Sequence, residues 1–110
     1  MTSFEFGDIV LLGFPHTDLR GMSKRPAMVV YDSGDMDIVV ARITTQEYTT
    51  GTDYKIKNWH TCGLIMPSYV RLSKLATIEK NHVLKKLAVL GDNELEDIRV
   101  ILKSMLKLSG

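Results

Sequence analysis

Two short clusters in this 110-residue chain bring together side chains suited to holding a phosphate. In Lys24-Arg25-Pro26 the proline fixes its own φ and biases Arg25 toward an extended conformation, at the point where a loop becomes an apolar run. A planar guanidinium that is always charged offers a rigid fork to phosphate oxygens. A surface arginine that merely solubilises the end of a strand would look the same. Thr44-Thr45-Gln46 closes a second apolar run. Threonine hydroxyls donate to phosphate oxygens, and β-branching keeps Thr44 in few rotamers; threonines also simply favour strands.

Groups able to move a proton are fewer. His16 and Asp18 share the polar loop before Lys24, and either could act as an acid or base. His60 and His82 have weaker contexts. Trp59, between Asn58 and His60, could stack on an unpaired base or anchor a core or dimer contact. Cys62 has no evident base beside it, so a thiolate nucleophile is not expected. The spacings that make a dedicated zinc site, C-x-x-C pairs or H-E-x-x-H, do not occur, and no metal or other cofactor is expected.

The charge of +1 conceals an uneven distribution: −3 over residues 1–37, +5 over 38–86 and −1 over 87–110. The basic middle holds Arg42, Lys55, Lys57, Arg71 and Lys74, which could meet a phosphate-bearing partner or form a solvated sheet face.

These residues need elements to place them. Residues 7–13, GDIVLLG, predict a buried strand, and residues 14–24 a long loop of the kind that often binds or covers a ligand. Residues 26–31 and 37–43 predict a hairpin whose turn, Asp32-Ser33-Gly34-Asp35, needs the positive φ that Gly34 supplies. Pairing those strands puts Arg25 and Thr44 at the same open end of the hairpin. A short strand near 53–57 and β-like stretches at 63–66 and 68–78, interrupted by Pro67, follow. Leu95, Ile98, Leu102 and Met105 recur at helical spacing after Gly91 or Asp92 as cap, with acids early and bases late. The pattern is mainly β (α+β), a compact antiparallel barrel with a C-terminal helix packed onto it.

Composition sets the outer limits. At 45% hydrophobic and 25% charged, the chain is neither disordered nor fibrous and reads as one domain over residues 1–110. One cysteine excludes an internal disulfide framework, and no apolar run approaches the length of a membrane span. A cytoplasmic location is expected.

Taken in order, GDIVLLGFPHTDLRGMSKRPAMVV, VARITTQ and GLIMPSYVRLSKLATIEK resemble the MazF/PemK (Kid-like) toxins of bacterial type II toxin–antitoxin systems. The resemblance runs from about Gly7 to the final helix. It implies an SH3-like barrel of the CcdB/Kid type, a homodimer, and a metal-independent endoribonuclease that cuts single-stranded mRNA at short sequences. It implies that Arg25 and Thr44 are the catalytic pair, that Thr45 and Gln46 border the same site, and that the preceding loop gates it and reads bases. A cognate antitoxin would lay a disordered tail in the RNA groove.

The loop departs from the family's best-studied pattern. A Gly-Ser-Glu-Gln-like run is replaced by Thr17-Asp18-Leu19-Arg20-Gly21-Met22-Ser23, as in the PemK-like branch. The expected reaction is attack by the RNA's own 2′-hydroxyl, leaving a 2′,3′-cyclic phosphate and a 5′-hydroxyl, with His16 or Asp18 assisting proton transfer. Lys24, Arg42, Lys55, Lys57, Trp59, Arg71 and Lys74 are the expected RNA contacts. Two alternatives stand beside it: a CcdB-like gyrase poison on the same fold, and a silent module that only binds an antitoxin.

Overall fold

Apolar residues arrive in β1 (Asp8–Pro15), β2 (Met22–Asp32) and β3 (Asp37–Thr44) as near-continuous runs, because the sheet is covered on both faces there. In the computed structural model, which describes residues 2–16 and 21–108, β4 (Asp53–Lys55), β5 (Tyr69–Glu79) and β6 (Val83–Val89) complete one sheet. Its order is β4-β5-β3-β2-β1-β6 and every pairing is antiparallel. Helix α1 (Asp92–Leu106) follows directly on β6.

One face carries Ile9, Met28, Ala41, Val70 and Leu72 beneath Leu95 and Ile98 of the helix. The other carries Val10, Leu12, Ala27, Val29 and Val40, partly covered by Phe4, Phe14 and Val83. Each isoleucine, leucine, valine or methionine among them that is fully withdrawn from water contributes about 1.5–3 kcal/mol. Gly7 lets the helix approach: its φ is 95°, and a Cβ there would lie 2.5 Å from Cδ2 of Leu95. Asp8 beside it is buried, accepting the Glu5 N–H at 2.9 Å and facing Lys86 Nζ at 3.6 Å.

The β2–β3 hairpin turns as expected, with Gly34 at φ 84°. Asp32 clamps it, accepting the Phe4 and Gly34 N–H groups at 2.8 Å each and pairing with the buried Lys80 at 3.0 Å. Those contacts, the Phe4 and Gly34 amides foremost, hold its carboxyl down to about 2.

The mainly β architecture with a C-terminal helix is the one expected, but the ladder does not close into a ring: β4 and β6 are its two edges. Two local expectations change, and one strand is unforeseen. The loop after β1 is shorter than 14–24, because β1 runs through Pro15 and β2 already starts at Met22. Residues 63–66 form no strand; the chain makes a 3-10 turn at Trp59–Cys62 and leaves Ile65 exposed ahead of Pro67. Residues 83–89 are a strand that alternation does not announce, since Lys85 and Lys86 sit together in the middle of an edge. No helix among the described residues is long and apolar enough to cross a membrane.

Candidate active site

Antiparallel register brings the two phosphate-suited clusters together. Ala27 lies opposite Arg42, and Thr44 opposite Tyr69, which in turn lies opposite Lys55. Extending the β2–β3 register by two residues sets Arg25 across from Thr44, a neighbour relation between adjacent strands. Alternation along β2 and β3 puts Arg25, Arg42 and Thr44 on the face that carries Ala27, Val29 and Val40, opposite the helix.

There the side chains line a cleft of about 220 Å³ with Pro26, Ile43, Thr45 and Ser68. Arg25 and Arg42 are exposed, while Thr44 is half-buried. Thr44 Oγ1 accepts the Gln46 backbone N–H at 3.2 Å, which turns the chain sharply out of β3. Ser68, buried at the cleft wall, donates its hydroxyl to the Met66 carbonyl at 2.8 Å. A larger groove of about 500 Å³ lies at the far end of the hairpin, between Phe4, Met36 and Leu84; it holds lysines but no arginine. Chemistry rather than volume selects the smaller cleft, because it joins two guanidinium-bearing residues to a pair of threonine hydroxyls.

The other expected residues are distributed as follows. His16 directly follows β1, and its Nε2 lies 2.9 Å from Ser23 Oγ, on the strand that carries Arg25. Asp18 lies outside the described residues. Lys24 is exposed on β2 opposite Gly13. Lys55, Lys57 and Trp59 line a second hollow with Ile56 and Pro67. Pro67 borders that hollow and its neighbour in sequence, Ser68, borders the cleft. Lys57 pairs with Asp97 at 3.5 Å, and Trp59 is half-buried against the core, edge-to-face with His60 at 5.5 Å. Lys74 is exposed where β5 bulges between the partners of Ala41 and Arg42.

Arg71 is enclosed rather than presented. Its side chain is 9% exposed, its Nε donates to Asp53 Oδ1 at 3.3 Å, and its guanidinium carbon sits 3.7 Å from the centre of the Tyr48 ring. So held, Arg71 is turned toward protein partners and away from solvent, unlike the exposed Arg25 and Arg42. Asp53 and Tyr48, its partners, were invisible to residue type and spacing. His82 is likewise structural, with Nδ1 3.2 Å from the Gly13 carbonyl and its ring 4.7 Å from Phe14. Cys62 is buried, which pushes its thiol up.

Solved structures share the whole architecture. A mycobacterial endoribonuclease in complex with its cognate antitoxin is 18% identical, with a TM-score of 0.77 over 98% of this chain and 99% of that one. The Mycobacterium tuberculosis toxin MazF-mt6 is 18% identical, with a TM-score of 0.76 over 94% and 99%. A MazE-MazF structure from Deinococcus radiodurans is 20% identical, with a TM-score of 0.73 over 96% and 97%. No curated protein matches the sequence significantly. Residues 5–106 match the family described as PemK-like, MazF-like toxin of type II toxin-antitoxin system, and the chain belongs to that family.

Proposed function

We propose that this protein is the toxin of a type II toxin–antitoxin pair and a metal-independent, sequence-specific endoribonuclease acting on single-stranded mRNA in the cytoplasm. The observation that carries the reading is the shared cleft: Arg25 from β2 and Thr44 from the end of β3 line one hollow of about 220 Å³.

In the proposed reaction the 2′-oxygen of the substrate forms a bond to the adjacent phosphorus while the bond to the 5′-oxygen breaks. The products are a 2′,3′-cyclic phosphate and a 5′-hydroxyl, so no water or metal-bound hydroxide enters. Arg25 clamps the nonbridging oxygens as charge builds, and Thr44 donates its O–H to one of them; a single preorganised donor of this kind is worth about 3 kcal/mol of barrier. The 2′-hydroxyl must lose a proton and the 5′-oxygen must gain one. An arginine is a poor base, so that exchange falls to His16 beside the β2 entrance or to Asp18. Arg42, Lys24, Lys55, Lys57 and Lys74 serve the RNA backbone, with Trp59 available to a base; Arg42 lines the cleft itself, and Lys55, Lys57 and Trp59 line the second hollow.

Likeness to structures solved with an antitoxin supports a second part of the reading. A cognate antitoxin lays a disordered, anionic tail across the same basic surface, and the toxin works as a homodimer. Incubating a long RNA with the purified protein in EDTA tests the proposal. Fragments ending at one short motif with 5′-hydroxyl termini are expected, and a 2′-deoxy residue at the cleaved position should stop the cut. Intact RNA, or rapid cleavage of the deoxy substrate, contradicts it.

A further inference from the structure

Residues 45–52 leave β3 directly beyond the cleft and carry no regular structure, yet side chains of β5 pin them down. Tyr69 donates its hydroxyl to Glu47 Oε2 at 2.7 Å. Two residues on, and therefore on the same face of the strand, the Arg71 guanidinium lies against the ring of Tyr48 at 3.7 Å. Arg71 has little freedom of its own. Its Nε is bonded to Asp53, and both side chains are less than a tenth exposed. A ring resting on so fixed a cation is oriented by it.

From Tyr48 the order passes back toward the cleft in two steps. The Tyr48 hydroxyl donates to Gln46 Oε1 at 3.2 Å, and the Gln46 backbone N–H donates to Thr44 Oγ1 at 3.2 Å. The second bond decides what Thr44 can do. A threonine hydroxyl has one proton and two lone pairs, so accepting from Gln46 occupies a lone pair and leaves the proton for another acceptor. With Thr44 lining the cleft beside Arg25, that acceptor is the nonbridging oxygen of the scissile phosphate.

We propose that Tyr48 is a positioning residue for the reaction: stacked on Arg71 and bonded to Gln46, it fixes the corner that keeps the Thr44 hydroxyl poised as a donor. The inference rests on the endoribonuclease reading, and its test separates the two. Steady-state cleavage of a single-site RNA by Tyr48→Ala and Tyr48→Phe is compared with hydrogen exchange of the Gln46 amide in the free protein. For Tyr48→Ala, kcat should fall about ten-fold or more with KM within about two-fold, the mark of an interaction realised in the transition state. Tyr48→Phe keeps the ring on the guanidinium and should recover part of that loss. The Gln46 amide should exchange about ten-fold faster in Tyr48→Ala than in the wild type. A raised KM with normal kcat would make Tyr48 an RNA contact instead. Unchanged kcat with a lowered melting temperature would make it a stability residue only, and Tyr48→Phe as poor as Tyr48→Ala would remove the stack from the account; each overturns the proposal. If the wild type cuts no RNA, the endoribonuclease reading fails, and the Gln46 exchange still decides whether Tyr48 holds the corner.

Discussion

Arg25 brings a planar guanidinium whose donors form a fixed fork, which the point charge of a lysine cannot reproduce. Arg25→Lys is therefore expected to lose at least about ten-fold in kcat/KM despite keeping the charge. Thr44→Ser, which keeps the hydroxyl but gives up the β-branch, should lose less than Thr44→Ala, and single-turnover cleavage will rank them. Arg25 and Thr44 were legible because a proline and a strand end mark their places, and hairpin register does the rest. Arg71 shows where such reading stops. Residue type announces a cation, but its burial depends on Tyr48, contributed by a polar stretch without periodicity, and on Asp53 across the β4–β5 ladder. Salt dependence separates the two arginines. Each phosphate neutralised on a single strand contributes about 0.7 to the slope of log K against log salt, so Arg42→Ala should reduce the slope by about that much. The same measurement on the other cation, with Arg71→Met, should leave the slope unchanged among folded molecules.

At the level of elements, the first turn of the helix is tied to the β4 region by a buried carboxylate. Glu94 stands in the first turn of α1, where Gly91 offers no side-chain cap, and its Oε1 accepts both the Tyr54 hydroxyl and the Lys57 N–H at 2.9 Å. Burial, with Glu94 assisting, pushes the Tyr54 hydroxyl far above the usual range. Glu94→Ala strands two buried donors and should cost about 2–3 kcal/mol in urea unfolding, whereas Glu94→Gln keeps an acceptor oxygen and should cost less. The β2–β3 turn carries a pH signature. The Asp32 carboxyl is held at about 2 in the folded protein against 3.8 ordinarily, so the unfolded chain binds the extra proton as pH falls. Its stabilisation is complete above about pH 4 and fades toward pH 2, and Asp32→Asn should flatten that part of a plot of urea midpoint against pH. Helix and hairpin were legible from spacing and turn chemistry. β6 was not, since paired lysines on an edge break the apolar pattern, and the stretch 63–66 was over-read because apolar residues before a proline look like a strand without being one.

Over the whole molecule, the sheet separates its tasks by face. The helix closes one side over the larger core, and the cleft opens on the other, with Ile43 as the member of the helix-side core that also borders it, so the proposed chemistry at Arg25 and Thr44 is expected to depend little on the packing of α1. Ile98→Ala, fully buried on the helix side, should accordingly cost about 2–5 kcal/mol of stability while leaving kcat near that of the wild type at temperatures where the protein is folded. Mainly β class and C-terminal helix follow from local pattern. The strand order does not, because placing β5 beside β3 and β6 beside β1 depends on contacts between distant parts of the chain. The decisive measurement is a double-mutant cycle: single-turnover cleavage of a one-site RNA in EDTA by wild type, Arg25→Ala, Thr44→Ala and the double variant, each checked for folding. If both side chains grip one phosphate, each single change loses about 10²-fold or more, and the double change loses much less than the product of the two. Undiminished cutting by both single variants, or losses that simply multiply, would contradict a shared site.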